Sequence, residues 1–349
     1  MQPSPSPAAR VVFDWAEVNC FLRPQAMLCD EVAPGYDLLL LCMASLYRAW
    51  GTDGFFVVPG RGHFAFADAV FAPLAGIGFE LTYVDEKEAV GGVLRDLLRD
   101  GGPVVMPANI RPLPYFVGHG EEDKLHFFIV RGYDRAADEF HLLDYLHVRE
   151  DNLSLEYAPA TLSGAMLREV TALYWDTYVG DAPTPDWDPR YWLLRVRPAA
   201  AFRPLDPDAL LALLLSECAR ILDRRDAAAP DALDDRYLAQ LRATHEIGNE
   251  ERLSSLAHTY LADANAALVH VRIVEHALQA LGHADAAAEL AARLEEHRAR
   301  TAALRSRLLV RCMVSPSLPH AEWTAFGEEL GSLAAALGCT VREQIPAGY

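Results

Sequence analysis

A cysteine, a histidine and an aspartate follow one another in this chain as Cys20, His126 and Asp144. Thiol, imidazole and carboxylate are the parts of a nucleophile relay: the base takes the thiol proton, and the acid fixes the base's tautomer and orientation. His126 opens the apolar run His126-Phe-Phe-Ile-Val-Arg-Gly-Tyr-Asp134, which reads as a strand. A polar turn at Arg135-Ala-Ala-Asp138 follows, and a second strand ends in Asp144. A His at the mouth of one strand and an acid at the end of its hairpin partner can lie side by side. Cys20 precedes a short apolar segment whose helix is expected to begin near Arg23 or Pro24, because Pro is welcome in a first helical turn. Partial positive charge at a helix N-terminus stabilises a thiolate there. The residues leave a plainer assignment open: Cys20 as a small buried hydrophobe, His126 bonded to a carbonyl, and Asp144 capping a turn.

The elements that must position these residues come from periodicity. Phe55 to Val58 and Phe79 to Val84 read as strands, and Asp85 to Asp100 as a helix with Asp85 as N-cap and Gly101-Gly102 as its stop. Pro103 to Met106 starts a strand that runs into a loop at Asn109 to Tyr115. Tyr157 to Val170 reads as a helix, Asp181 to Arg190 as a loop, and Tyr191 to Val196 as a returning strand. Composition shifts at Pro198 to Pro207. Beyond it Asp206–Asp226, Ala232–Thr244, Glu250–Leu281, His283–Arg311 and Pro319–Leu337 carry the 3.6-residue apolar period, with Gly282 and Gly338 as stops. The expected organisation is an α+β domain over 10–198 and an all-α helical bundle over 206–340.

Composition excludes several function classes. The chain has 349 residues, 52% of them hydrophobic, and a formal charge of −18, which opposes binding to nucleic acid or an anionic membrane. The N-terminus lacks the apolar core of a secretory signal, and the longest apolar run, Leu38 to Leu46, is too short to span a bilayer. Six cysteines without CxxC spacing fit free thiols in a reducing cytoplasm, with Cys42, Cys218, Cys312 and Cys339 as structural residues. His119, His126, His141 and His147 cluster in sequence, but nothing beside them completes a ligand set, so no metal is expected.

Three segments of the first domain resemble the butirosin biosynthesis protein H N-terminal family of papain-like acyltransferases, relatives of bacteriocin-leader cysteine peptidases. They are Asn19-Cys20 to Leu28 with the apolar helix Tyr36 to Trp50, the strand and loop Val104 to Tyr115 with its Leu-Pro-Tyr ending, and His126 to Asp134 with Leu142-Leu-Asp144. The match covers roughly residues 12 to 175. It implies a papain-like domain in which Cys20 attacks an acyl thioester on an acyl or amino-group carrier protein. His126 would take the thiol proton, Asp144 would orient His126, and an amine would receive the acyl group. The carrier's phosphopantetheine arm would be the sole cofactor involved. Where papain-like enzymes place an oxyanion-donating Gln before the Cys, this chain has Glu17 and Asn19. Asn19 or the Cys20 N–H is therefore the expected donor. Asn109 stands where the family loop often carries an acid, and Arg111 and Tyr115 are candidate substrate contacts.

The segment Arg293 to Arg311 holds six Arg against two Glu. Arg298, Arg300, Arg305 and Arg307 are candidate docking cations for an acidic carrier; a solvated helix face with intrahelical pairs is the competing reading. The functional expectation is acyl or aminoacyl transfer to an amine, or cyclisation, in natural-product biosynthesis. Hydrolysis of a thioester or peptide by the same triad is the second expectation. A non-catalytic or non-covalent binding subunit of a biosynthetic complex is the third, and a homo- or hetero-oligomer is open to the chain under each.

Overall fold

A computed structural model describes residues 18, 20–50, 61–116, 119–121, 123, 125–147, 155–180, 190–227, 267–314 and 320–349. The expected strand at 55–58, the loop at 181–189, the helix at 232–244 and the first part of the helix from 250 lie outside them. The chain mixes helices with an antiparallel sheet, an α+β architecture. Among the described residues, one compact unit draws on 14–40 and 56–204, the other on 41–55 and 205–349.

The first unit is built on a six-stranded sheet: β1 (Ile77–Val84), β2 (Val104–Asn109), β3 (Leu125–Asp134), β4 (Glu139–His147), β5 (Leu155–Ser163) and β6 (Tyr191–Pro198), in the order β1-β6-β2-β3-β4-β5. Every ladder is antiparallel. β2 is buried along its whole length, as its apolar run requires of an inner strand. The β3–β4 hairpin turns at Arg135 to Asp138 as expected, but β4 runs past Asp144 to His147. Asp138 takes a positive φ of 53°. The N–H of Gly164 donates to the Asp138 carbonyl at 2.7 Å, and a Cβ at residue 164 would displace the Asp138 carboxylate.

The described residues before Pro204 also form helices α1 (Leu22–Val32), α2 (Tyr36–Trp50), α3 (Arg61–Phe66), α4 (Ala72–Ala75), α5 (Val90–Arg99) and α6 (Gly164–Tyr178), α2 belonging to the second unit from Leu41 on. Two expectations need correction. Residues from Tyr157 to Ser163 are strand rather than helix: Pro159 would break a helix interior, yet is tolerated in β5, which lies at the sheet edge. The helix starts one residue beyond Ser163, whose Oγ accepts the Met166 N–H at 3.2 Å. Asp85 does not cap α5 either. A 3₁₀ turn at Lys87–Ala89 intervenes, and α5 begins at Val90.

The second unit is helical throughout its described residues: α7 (Pro207–Ala227), α8 (described over 267–280), α9 (Ala284–Val314) and α10 (His320–Gln344). Asp206 starts α7 as expected, its carboxylate accepting the Ala209 N–H at 3.0 Å. Gly282, at φ 86°, closes α8. Gly338 does not stop α10, which runs on to Gln344 and ends just ahead of Pro346. No helix among the described residues is long and apolar enough to cross a membrane.

Candidate active site

The sulfur is set by the start of α1. That helix begins at Leu22, a little earlier than expected, so Pro24 sits in its first turn and Cys20 lies in the turn that leads into it. Cys20 is half-buried and at the positive end of the helix. Phe21 anchors it. The Phe21 ring packs edge-on against His63, Phe127 and Trp192, with centroids 4.5, 5.0 and 6.1 Å away. The Phe21 carbonyl accepts the Gln25 side-chain N–H at 2.8 Å, and Gln25 Oε1 faces His63 Nε2 at 2.7 Å. With the Gln25 amide so oriented, His63 Nε2 must carry the hydrogen. Burial alone lowers the His63 pKa to about 3, so this imidazole stays neutral. The backbone next to the sulfur is thus tied to the interior by ring packing and by a short polar chain.

The imidazole comes from β3, where His126 pairs with Ala108 of β2. Its Nε2 lies 2.7 Å from Asp144 Oδ1 on β4. Both groups are buried, His126 at 1% exposure and Asp144 at 0%. The Tyr115 hydroxyl donates to the other Asp144 oxygen at 2.9 Å. The edge of the Phe116 ring meets the imidazole at a centroid distance of 4.8 Å. Cys20 is near enough to His126 to help raise the imidazole's pKa. With Nε2 engaged by Asp144, Nδ1 is the ring nitrogen left for the sulfur. Burial pulls the His126 pKa down, but the Asp144 charge and hydrogen bond, helped by Cys20, outweigh it and push the value up to about 9. Burial, and then the Asp144 charge, raise the Tyr115 phenol far above its ordinary range, so Tyr115 acts as a neutral donor. The arrangement can hold a proton on His126 as an imidazolium between the carboxylate and the sulfur.

Of the residues singled out in the sequence, Cys20, His126, Asp144 and Tyr115 come together. Tyr115, a candidate substrate contact, bonds the acid through its hydroxyl. Asn109 and Arg111 belong to a second cluster. Asn109 is fully buried and donates to Asp123 at 3.0 Å, while its side-chain oxygen accepts the Arg111 N–H at 3.0 Å. The Arg111 guanidinium reaches Asp123 at 3.4 Å. Asn19 lies outside the described residues. On α9, Arg298 and Arg300 pair with Glu295 and Glu296, and Arg307 pairs with Glu329 of α10. The Arg305 side chain lies outside the described set.

Two groupings carried no sequence signal. One is the Gln25–His63 chain, whose partners stand far apart in sequence between apolar neighbours. The other lies in the helical unit. Cys42 Sγ is 3.5 Å from Cys218 Sγ and 3.3 Å from His270 Nδ1, all three residues being fully buried. Burial first, then the hydrogen bond and charge of Cys218, push the Cys42 thiol well above its ordinary pKa. Burial lowers His270 to about 4. The sequence reading of Cys42 and Cys218 as core residues agrees with their burial but could not pair them. No family model matches the chain, and no curated protein matches it.

Proposed function

We propose that this chain is a cysteine-dependent acyltransferase with a papain-like first domain, moving an acyl group from a carrier-protein thioester to an amine through Cys20. The observation that carries the reading is the buried His126–Asp144 pair, its acid bonded to the imidazole on one oxygen and to Tyr115 on the other, with Cys20 near enough to act on the imidazole. A cysteine ahead of a helix and a histidine and acid on an antiparallel sheet, in that chain order, support the papain-like assignment. So does the likeness of the Cys20, Leu113-Pro-Tyr115 and His126-to-Asp134 segments to the butirosin biosynthesis protein H N-terminal family.

The chemistry balances in two stages. The proton shared by Cys20 and His126 rests on the imidazole, and the Cys20 sulfur attacks the thioester carbonyl as the thiolate. The tetrahedral intermediate expels the carrier thiolate, which takes the proton back from His126, leaving an acyl-Cys20 thioester. An amine then attacks that carbonyl and loses a proton to His126. Cys20 leaves as thiolate and is reprotonated, and an amide is released. The helix N-terminus beside Cys20 favours the developing oxyanion. An acidic carrier docking on Arg298, Arg300 and Arg307 would compete with their glutamate partners. The reading places the reaction in the cytoplasm, in natural-product biosynthesis.

The test is product partition. The full chain is incubated with an acyl-loaded carrier and a panel of amines, and amide and free acid are quantified. Amide formation that disappears in Cys20→Ala supports the reading. Free acid alone across the panel would replace transfer by hydrolysis. Equal product from wild type and Cys20→Ala would leave a binding role.

A further inference from the structure

The thiol and imidazole cluster of the helical unit plays no part in the chemistry of Cys20. Its members come from three helices: Cys42 from α2, Cys218 from α7 and His270 from α8. Their donor atoms all lie within 4.8 Å of one another, and their helices bury apolar residues as well, among them Leu41, Leu214, Val271 and Val274. A core that needs only volume is filled as well by aliphatic side chains; two sulfurs and an imidazole converging on one point have a chemistry of their own.

In a tetrahedral site with bonds of about 2.3 Å to sulfur and about 2.0 Å to nitrogen, two sulfurs stand roughly 3.7 Å apart, and sulfur and nitrogen roughly 3.5 Å apart. The Cys42–Cys218 and Cys42–His270 separations of 3.5 and 3.3 Å sit close to those edges. We propose that Cys42, Cys218 and His270 bind one divalent, thiophilic metal ion, zinc above all, through both sulfurs and Nδ1 of the histidine. Binding releases two thiol protons to solvent and admits one M²⁺. The ion with two thiolates and a neutral imidazole carries no net charge, which suits a dry interior. A monovalent ion would leave a buried negative charge there, and Ca²⁺ or Mg²⁺ would lack the oxygen donors they require. With three protein donors, the fourth position would take one buried water carried in with the ion. In the metal-free chain His270 Nδ1 lies 3.3 Å from the Cys42 carbonyl and can donate there, so metal binding exchanges one partner for another. The ion would staple three helices far apart in sequence.

The test uses the full chain purified without chelator or immobilised metal. Elemental analysis is expected to find one zinc per chain in wild type and in Cys20→Ser, and none in Cys218→Ala or His270→Leu. Buried substitutions can impair folding, so a second measurement needs no variant at the site. Chelator-treated wild type is titrated with Co²⁺ and is expected to develop thiolate-to-cobalt charge-transfer absorption that saturates at one ion per chain and bleaches when zinc is added. Three results would overturn the proposal: a folded, chelator-treated wild type that shows no such absorption, zinc retained at full stoichiometry in Cys218→Ala, or a metal-free isolated chain in which Cys42 and Cys218 form a disulfide.

Discussion

Each of the two units pairs cysteine with histidine, and the two pairings have opposite proton chemistry. In the sheet unit His126 is buried beside a half-exposed thiol, and its pKa rises to about 9. In the helical unit His270 is buried beside two thiols, and its pKa falls to about 4. Burial is the first cause in both. The difference is Asp144, 2.7 Å from His126. A carboxylate at hydrogen-bond distance reverses the effect of desolvation and makes a buried imidazole a place to store a proton. Without one, the imidazole stays a neutral lone pair. His63 obeys the same rule inside the sheet unit, with an amide as partner and a pKa near 3.

Removing the sulfur on each side gives the widest contrast. Cys20→Ala should lower acyl-transfer turnover by about 10³-fold or more, the scale of losing a nucleophile. Cys339→Ala, at an exposed position, should leave it unchanged. Steady-state kinetics with matched melting temperatures checks both. His126→Ala comes next, with an expected fall of about 10²- to 10⁴-fold, the range of general acid–base assistance.

The carboxylate can be tested through stability. A histidine whose folded pKa exceeds its unfolded value adds stability that is fully present below about pH 6.5 and is lost as pH rises through about 9. The amount is on the order of 3 kcal/mol. Denaturant midpoints of Asp144→Asn across that window should therefore decline less than those of wild type. His63 acts with the other sign: its pKa is depressed, so its contribution is present above pH 6.5 and is lost as pH falls toward 3. Asp144→Asn should leave that acid limb in place, and an unchanged alkaline limb would break the comparison. Tyr115→Phe, which removes one hydrogen bond to the acid, should show the smallest effect, about tenfold in turnover with the sulfur still alkylatable.

The legible parts of the molecule were those written in local patterns. The His126–Asp144 hairpin followed from two apolar runs around a polar turn, and α7 and α9 followed from their apolar period. Residues 157–163 differ from the expected helix because Pro159 suits an edge strand and Ser163 caps the helix that follows. The hydrogen bond from Tyr115 to Asp144 was hidden for a different reason. A tyrosine in a loop has the same local signature whether it meets a substrate or an acid on a neighbouring strand, and tertiary register alone decides. Cys42, Cys218 and His270 illustrate the extreme case, since each sits in an apolar helical pattern that describes a core position equally well.

The most direct measurement is the covalent state of Cys20 after incubation with an acyl thioester, read by intact mass and peptide mapping. The relay predicts a gain of one acyl group on the Cys20 peptide, absent in Cys20→Ala and slow to form in His126→Ala. A wild-type Cys20 that stays unmodified while product accumulates, or an acyl group carried on Cys339 instead, would contradict it.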